Sequence, residues 1–360
     1  MSTNRYNSLI LLAALAAPAC GLAQAPASSA PQSTNKIVLD VVVSPKSGAP
    51  VANLQQQNFT LLDNKVQRPI TSFRAVTQSQ EPAEVILVID NVNTPYQTIA
   101  YARPQIDKFL LANGGHLPYP TTLAVANDTG VELQGNPTTD GNALSAAFDK
   151  YEVGLKFLRH DTGIWGAAQR SDLGLHALNA LMARERTRPG RKIVLWISPG
   201  WPLLSGPRIY LPYKQEQQLF GSIVGLSNQL RDTDTTLYAI NPLGAGENVL
   251  FTSYYQDFLK GVSKPSQVAL GDLSLQVLAA QSGGQVFYSS NDITGMLQKA
   301  MADTSAYYEL TFDAAPGDHP DTFHQIDVQL NDRNLVARTR NGYYAQPPST
   351  NAAVAPASGQ

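Results

Sequence analysis

Residues 85–96 read VILVIDNVNTPY, and the fold class follows from this stretch. Its first five residues are apolar without polar alternation, which is typical of a strand buried on both faces of a parallel sheet. Asp90 ends this strand, and residues 91–94 favour a turn before Pro95, which suits the first position of a helix. The stretch therefore predicts a buried strand, a corner and the beginning of a helix.

The alternation of strands and helices continues to residue 305. Continuous apolar segments predict further buried strands, a turn predicts a hairpin, and apolar residues at helical spacing predict the helices between them. The strands are predicted at residues 192–197, 237–240 and 285–288, and the hairpin at residues 121–133. This order indicates an α/β domain over residues 81–305 with a doubly wound, mostly parallel sheet.

Segments with strand patterns and turn residues flank the α/β domain at residues 36–80 and 306–346. Each segment is too small to bury its own apolar face. We therefore expect the two ends of the chain to pair into one β-sandwich, with the α/β domain inserted in it.

The first residues of the chain predict export. Residues 1–23 combine the positive charge of Arg5 with a short apolar run and small residues before Gln24, which is the pattern of a cleaved signal peptide. Cys20 follows the apolar run and offers a lipid anchor as an alternative. We expect the protein to be periplasmic, attached to the outer surface or secreted.

Composition restricts the partners. Residues 24–35 form a predicted flexible spacer and residues 347–360 a predicted disordered tail. The net charge is −2 and no long basic run occurs, so nucleic acid is not an expected partner. No transmembrane span is predicted in the mature chain, and Cys20 is the only cysteine, which excludes disulfides within the chain. A protein partner is expected, of unknown identity.

Asp90 lies where ligands bind in an open α/β sheet, beyond the carboxyl end of a strand. The Asp90 carboxylate and the Thr94 hydroxyl are the kind of oxygen ligands that Mg²⁺ takes in proteins. Val92 offers no oxygen between them, and the strand at residues 192–197 is followed by Ser198 rather than a carboxylate. Mg²⁺ is therefore the lesser alternative, and we expect no cofactor.

A structural interpretation of the same corner is favoured. Thr94 fits the N-cap of a helix that has Pro95 at its first position, and Gln97 completes a capping box. Asn93, Ser198 and Trp201 are candidates for contact with a partner at this edge. For Trp201 a place in the core is favoured, and an exposed recognition role is the alternative.

No catalytic residue is predicted. The sequence contains no Gly-x-Ser-x-Gly elbow, and no phosphate-binding loop or Gly-x-Gly-x-x-Gly motif follows the first buried strand. The five histidines do not have the spacing of a zinc site.

Several motifs in series resemble the von Willebrand factor A-related family common in acidobacteria, whose members are secreted proteins of mostly unassigned role. They are VVVSPKSGAPVANLQQQNFTLLDN, VILVIDNVNTP, PGRKIVLWISPGWP, TLYAIN, QSGGQVFYSSNDI and FHQIDVQLNDRNLVARTRNGYY. The resemblance implies a degenerate metal-ion-dependent adhesion site in which Asp90 and Thr94 match the motif and Asn93 fits a variant of it. Thr162 or Ser171 would supply the loop hydroxyl of such a site.

The resemblance implies binding or adhesion rather than catalysis. We expect an exported protein-binding module that is not an enzyme. One alternative is a structural envelope protein without a ligand site. The other is a metal-assisted hydrolase that uses Asp90 and needs a second carboxylate.

Overall fold

A computed structural model describes residues 36–46, 48–77, 83–154, 163–202, 210–245, 254–315 and 317–345, with the side chains of residues 151–154 left out. The predicted signal peptide with Cys20, the spacer, Thr162 and the C-terminal tail lie outside the described residues.

Strands make up both chain ends and alternate with helices between them. In chain order the described strands are β1 (Lys36–Pro45), β2 (Phe59–Asp63), β3 (Val66–Arg68), β4 (Ser72–Thr77), β5 (Ala83–Asp90), β6 (His116–Asn127), β7 (Gly130–Asp140), β8 (Arg191–Ile197), β9 (Thr235–Ile240), β10 (Val286–Phe287), β11 (Ala306–Asp313), β12 (Thr322–Leu330), β13 (Leu335–Arg338) and β14 (Gly342–Ala345).

The helices follow or precede strands of the central part of the chain. In the described ranges they are α1 (Tyr96–Leu110), α2 (Ala112–Gly115), α3 (Gly141–Gly154), α4 (Gly163–Glu185), α5 (Tyr213–Asp232), α6 (Leu275–Gln281) and α7 (Ile293–Ala302).

A six-stranded sheet with the order β10-β9-β8-β5-β6-β7 forms the centre of the α/β domain. Strands β10, β9, β8, β5 and β6 run parallel to their neighbours, and β7 pairs with β6 in the antiparallel direction. Renumbered from β5, this is the doubly wound order 3-2-1-4-5-6. The predicted hairpin is the β6–β7 pair.

Strand β5 is apolar throughout its centre because both of its faces are covered. Ile86 and Val88 point into the core that includes α4, α5 and α6. Leu87 and Ile89 point into the opposite core, with α1 and α7. The continuous apolar run in the sequence is therefore explained by helices that cover both faces of the sheet.

Both chain ends build the two sheets of a β-sandwich, as the sequence predicts. One sheet has the order β13-β1-β11-β4 and the other β14-β12-β2-β3. The register pairs Lys36 with Asp313 in the first sheet and Phe59 with Leu330 in the second. The inner faces share one apolar core that includes Leu39, Leu61 and Phe312, among others. Neither end could bury these side chains without the other.

The sandwich packs on the α/β domain through apolar and charged contacts. Tyr344 on β14 meets Phe220 on α5 edge to face at 6.0 Å. Arg191 at the start of β8 pairs with Asp40 on β1, with 2.7 Å between Nε and Oδ2. The Arg191 guanidinium also lies 4.0 Å from the ring centroid of Tyr307 on β11. The amino edge of the six-stranded sheet is thus attached to the sandwich.

Candidate functional site

Asp90 is the last residue of β5, and Ser198 follows the end of the neighbouring strand β8. Because parallel strands end at the same edge of a sheet, these residues lie at the carboxyl edge, as expected. Asp90 and Ser198 are both buried. The surrounding protein therefore shields the predicted corner with Asp90 and Ser198 from solvent.

The Asp90 carboxylate accepts hydrogen bonds from N–H donors of its own corner and of β8. Oδ1 accepts from the backbone N–H groups of Val92 at 3.1 Å and Asn93 at 2.9 Å. Oδ2 accepts from the Asn93 amide at 3.0 Å and from the Trp196 indole at 3.1 Å. Asp90 therefore holds a side-chain turn at the strand end and ties it to the next strand.

Burial raises the pKa of Asp90 above its ordinary value. Hydrogen bonds from Asn93, Trp196 and Ser198 oppose this rise because they favour the charged carboxylate. The donors to this carboxylate from Asn93 and Trp196 are neutral N–H groups.

A divalent cation does not fit this corner well. The oxygens Thr94 Oγ1 and Asn93 Oδ1 are buried and have no hydrogen-bond partner among the described residues. The Asp90 oxygens, however, are already taken by N–H donors, and Val92 is a buried apolar residue. Mg²⁺ needs about six oxygen ligands in octahedral geometry. The described part of the chain has no group of three or more His, Cys, Asp or Glu side chains placed to hold a metal ion.

The predicted capping box at Thr94 is wrong. Helix α1 begins at Tyr96, Pro95 occupies the N-cap position, and no side chain caps the helix. Instead the Thr94 N–H donates to the Asp90 carbonyl at 3.1 Å, which closes the turn before the helix begins. The Pro95 carbonyl then accepts from the N–H groups of Thr98 and Ile99.

The exposed recognition role for Trp201 is also wrong. Trp201 is 2% exposed and packs edge to face on Trp196 with 5.7 Å between ring centroids. Gly174 on α4 lies so close that a Cβ there would be 2.7 Å from the Trp201 indole. Trp201 is thus a core residue, which was the favoured interpretation.

The other candidate residues do not come together at one exposed site. The buried Ser198 hydroxyl accepts from the Gly200 N–H at 3.1 Å, so a partner cannot reach it in this conformation. Asn93 is half-buried. Ser171 lies on α4, and no hydrogen bond of the described residues joins it to Asp90.

Exposed large side chains do occur at this edge, at positions that the sequence did not single out. We call this set the edge surface. Its most exposed members are Tyr210 at 89%, Trp165 at 78% and Tyr213 at 73%. The full set is Tyr96, Ile164, Trp165, Tyr210, Tyr213 and Leu243.

Topology places the edge surface at the carboxyl edge. Tyr96 begins α1 directly after β5, Tyr213 begins α5 in the connection from β8, and Leu243 follows β9. Helix α4 ends at the amino edge, where it leads into β8, so its beginning with Trp165 lies toward the carboxyl edge. The edge surface therefore lies at the beginnings of three helices and beyond the end of one strand.

Helix α4 extends beyond the carboxyl edge of the six-stranded sheet. Gly174 is level with Trp201 beyond the end of β8, and the turns before Gly174 add about 16 Å of helix. In these turns Gly166 is the only fully buried described residue, whereas Ala177, Leu178 and Leu181 are buried in the second half. Trp165 is exposed because this part of α4 extends past the sheet.

The sheet order, with its single antiparallel edge strand, is that of a von Willebrand A-like domain. This confirms the fold class that the resemblance implied. No protein-family model matches the sequence, and no curated protein matches it.

Solved structures with some similarity include the human COPII-coat protein Sec24c, at 10% identity and a TM-score of 0.32. That match covers 82% of this chain but 50% of Sec24c, so the chain spans about half the length of that protein. Manganese-loaded Plasmodium vivax TRAP matches at 10% identity and a TM-score of 0.32, over 77% of this chain and 98% of TRAP. The SpRpn10 VWA domain matches at 13% identity and a TM-score of 0.27, over 54% of this chain and 93% of that domain. Similarity at this level carries no argument about function.

None of the helices in the described ranges has both the length and the apolar composition that crossing a membrane requires.

Proposed function

We propose that this protein is an exported, non-catalytic binding module whose von Willebrand A-like domain contacts a protein partner through the edge surface. The exposure of Trp165, Tyr210 and Tyr213 carries this proposal. Tyrosine and tryptophan dominate the binding energy of protein interfaces, because they bury a large apolar area and retain a polar group for hydrogen bonding. Export is supported by the signal-peptide pattern of residues 1–23.

Binding in this proposal does not depend on a metal ion. Asp90 would have to release N–H donors before it could coordinate a cation, and Thr94 would be the only hydroxyl beside it from the motif. A hydrolase that uses Asp90 would need a free carboxylate oxygen for the same reason. The closed corner therefore favours a module that binds through its surface.

The test compares partner capture by matched variants from the envelope extract of the source cells. The double variant Trp165→Ala/Tyr213→Ala removes two anchors of the edge surface. Val336→Ala removes an exposed apolar side chain from β13 of the sandwich, far from this edge in topology. A partner that the wild type and Val336→Ala retain should be lost from the double variant, with a Kd at least about 30-fold weaker.

The same capture in EDTA separates the two binding modes. Partner retention in EDTA is expected here. Loss in EDTA would support an adhesion site that needs a metal. Equal capture by the wild type and the double variant would contradict the edge surface and favour a structural envelope protein.

A further inference from the structure

The sandwich contains a cavity of about 450 Å³ on the side where β3 and β4 are the outermost described strands. Its apolar lining comes from Phe59, Leu61 and Ile70. Gln56, Gln57 and Gln67 are polar residues of its lining. The volume falls in the range of about 300–1,000 Å³ that is typical of small-molecule sites.

The wall of this cavity is held in place by hydrogen bonds. The short 3-10 turn Gln56–Asn58 forms one side of it. The Gln56 amide donates to the Ile70 carbonyl at 3.1 Å, across to the segment that joins β3 to β4. The Asn331 amide, just past the end of β12, donates to the Gln57 carbonyl at 3.0 Å. The cavity is therefore formed before a ligand binds.

Arg68 is the only charged residue among the described residues that line the cavity. It pairs with Leu61 across β2 and β3, which places both side chains on the inner face of the sheet. Its Nε atom is buried, lies 3.6 Å from Asp63 Oδ2 and has no hydrogen-bond partner among the described residues.

Asp63 does not need Arg68 to satisfy its hydrogen bonds. Oδ1 is 2.7 Å from Nδ1 of His324, which is assigned the proton because a carboxylate only accepts. Oδ2 accepts from the Tyr343 hydroxyl at 2.9 Å. The Arg68 guanidinium can therefore donate to a ligand without leaving Asp63 unpaired.

These groups define the chemistry of a ligand. A guanidinium matches a carboxylate through two parallel hydrogen bonds. Amide side chains both donate and accept, which suits neighbouring hydroxyl groups that do the same. One cation with a carboxylate 3.6 Å away is too little charge for a polyphosphate. Four of the eight lining residues carry amide or guanidinium groups, which disfavours a lipid chain.

We propose that the cavity binds a sugar acid, with the carboxylate on Arg68 and the ring hydroxyls on Gln56 and Gln57. The site lies on the sandwich and is independent of the edge surface.

Calorimetric titration of the full chain with glucuronate and with galacturonate tests this inference, with glucose as the neutral probe. At least one uronate should bind, and glucose should bind at least about 10-fold more weakly because it lacks the charge-assisted pair. Arg68→Gln should weaken uronate binding about 10-fold or more. Lys65→Gln removes the same charge from the adjacent β2–β3 turn, outside the cavity, and should bind as the wild type does.

Arg68→Lys keeps the charge but loses the planar fork, so its affinity should fall between those of the wild type and Arg68→Gln. It also serves if Arg68→Gln does not fold. In wild-type protein, NMR signals of the Gln56 and Gln57 side-chain amides should shift on uronate addition. Failure of both uronates to bind the wild type, equal binding of glucose, or an equal loss in Lys65→Gln would each overturn the proposal.

Discussion

A carboxylate lies at each of the two edges of the six-stranded sheet, and the surrounding protein compensates the two carboxylates in different ways. At the amino edge Asp40 faces the buried cation of Arg191, which in turn stacks on Tyr307. At the carboxyl edge Asp90 is held by neutral backbone, amide and indole N–H groups. Charge thus connects the α/β domain to the sandwich, whereas neutral donors close the corner where a ligand site was expected.

This difference has a consequence for stability and one for function. Removing one member of a buried ion pair leaves the other charge uncompensated, so the amino edge should be the more sensitive to substitution and to pH. The closed corner at the carboxyl edge leaves the exposed aromatic side chains beside it as the groups that meet a partner.

The largest effect is expected from Arg191→Ala. It removes the cation that contacts Asp40 and the stack on Tyr307, so the free energy of unfolding should fall by about 3–5 kcal/mol at pH 8. Arg231→Ala breaks an ion pair with Asp232 that is partly open to solvent and should cost less than about 1 kcal/mol. Urea unfolding of both variants measures this contrast. Equal losses of unfolding free energy would mean that the Asp40–Arg191 pair does not stabilise the contact between the sandwich and the α/β domain.

The next effect is a pH dependence from Asp40. Burial raises the pKa of Asp40 to about 7, although Arg191 opposes the rise. Because the pKa in the folded state lies above the unfolded value, the protonated form is favoured by folding. The stability that protonated Asp40 contributes is fully present below about pH 4 and is lost as the pH rises through about 7.

Asp40→Asn should remove this contribution. Between about pH 4 and pH 7 the wild type should lose up to about 4 kcal/mol of unfolding free energy more than the variant does. Urea unfolding at several pH values within this window provides the measurement. Parallel curves for the two proteins would show that Asp40 has an ordinary pKa and that the amino edge is not special in this respect.

A smaller effect, of opposite sign, is expected at the carboxyl edge from Thr94→Val. The Thr94 hydroxyl is buried without a partner among the described residues, so valine of the same shape should raise the unfolding free energy by about 1 kcal/mol. Thr304→Val is the matched control, because that buried hydroxyl donates to the Met301 carbonyl at 2.6 Å. The control should lose about 1 kcal/mol. A loss in Thr94→Val as large as in the control would indicate that the Thr94 hydroxyl has a partner.

The fold could be predicted from the sequence because its signals are local or additive. The continuous apolar run 85–89 requires cover on both faces, and two short β segments without a core of their own require each other. The position of Asp90 at a strand end follows from the same reasoning. Periodicity and segment size suffice for these features, and tertiary contacts did not alter them.

The site could not be predicted in the same way because exposure depends on how far each element extends. Trp201 follows a strand in a Pro-Gly loop, as an exposed residue would, but Gly174 leaves space for its indole in the core. Trp165 is exposed because the first turns of α4 pass beyond the sheet, and its sequence has no signal for that. The predicted capping box at Thr94 is not formed because the Asp90 carbonyl and carboxylate accept the N–H groups of this turn before the helix begins.

The closed corner is tested most directly by thermal unfolding of the wild type and Asp90→Asn with millimolar Mg²⁺ and with EDTA. A ligand that binds the folded state raises the melting temperature, and loss of the binding residue abolishes the rise. Because the Asp90 oxygens are bonded to N–H donors, we expect the wild type to melt at the same temperature in both solutions. A higher melting temperature of the wild type in Mg²⁺ that is absent from Asp90→Asn would contradict a closed corner and establish a metal-dependent adhesion site.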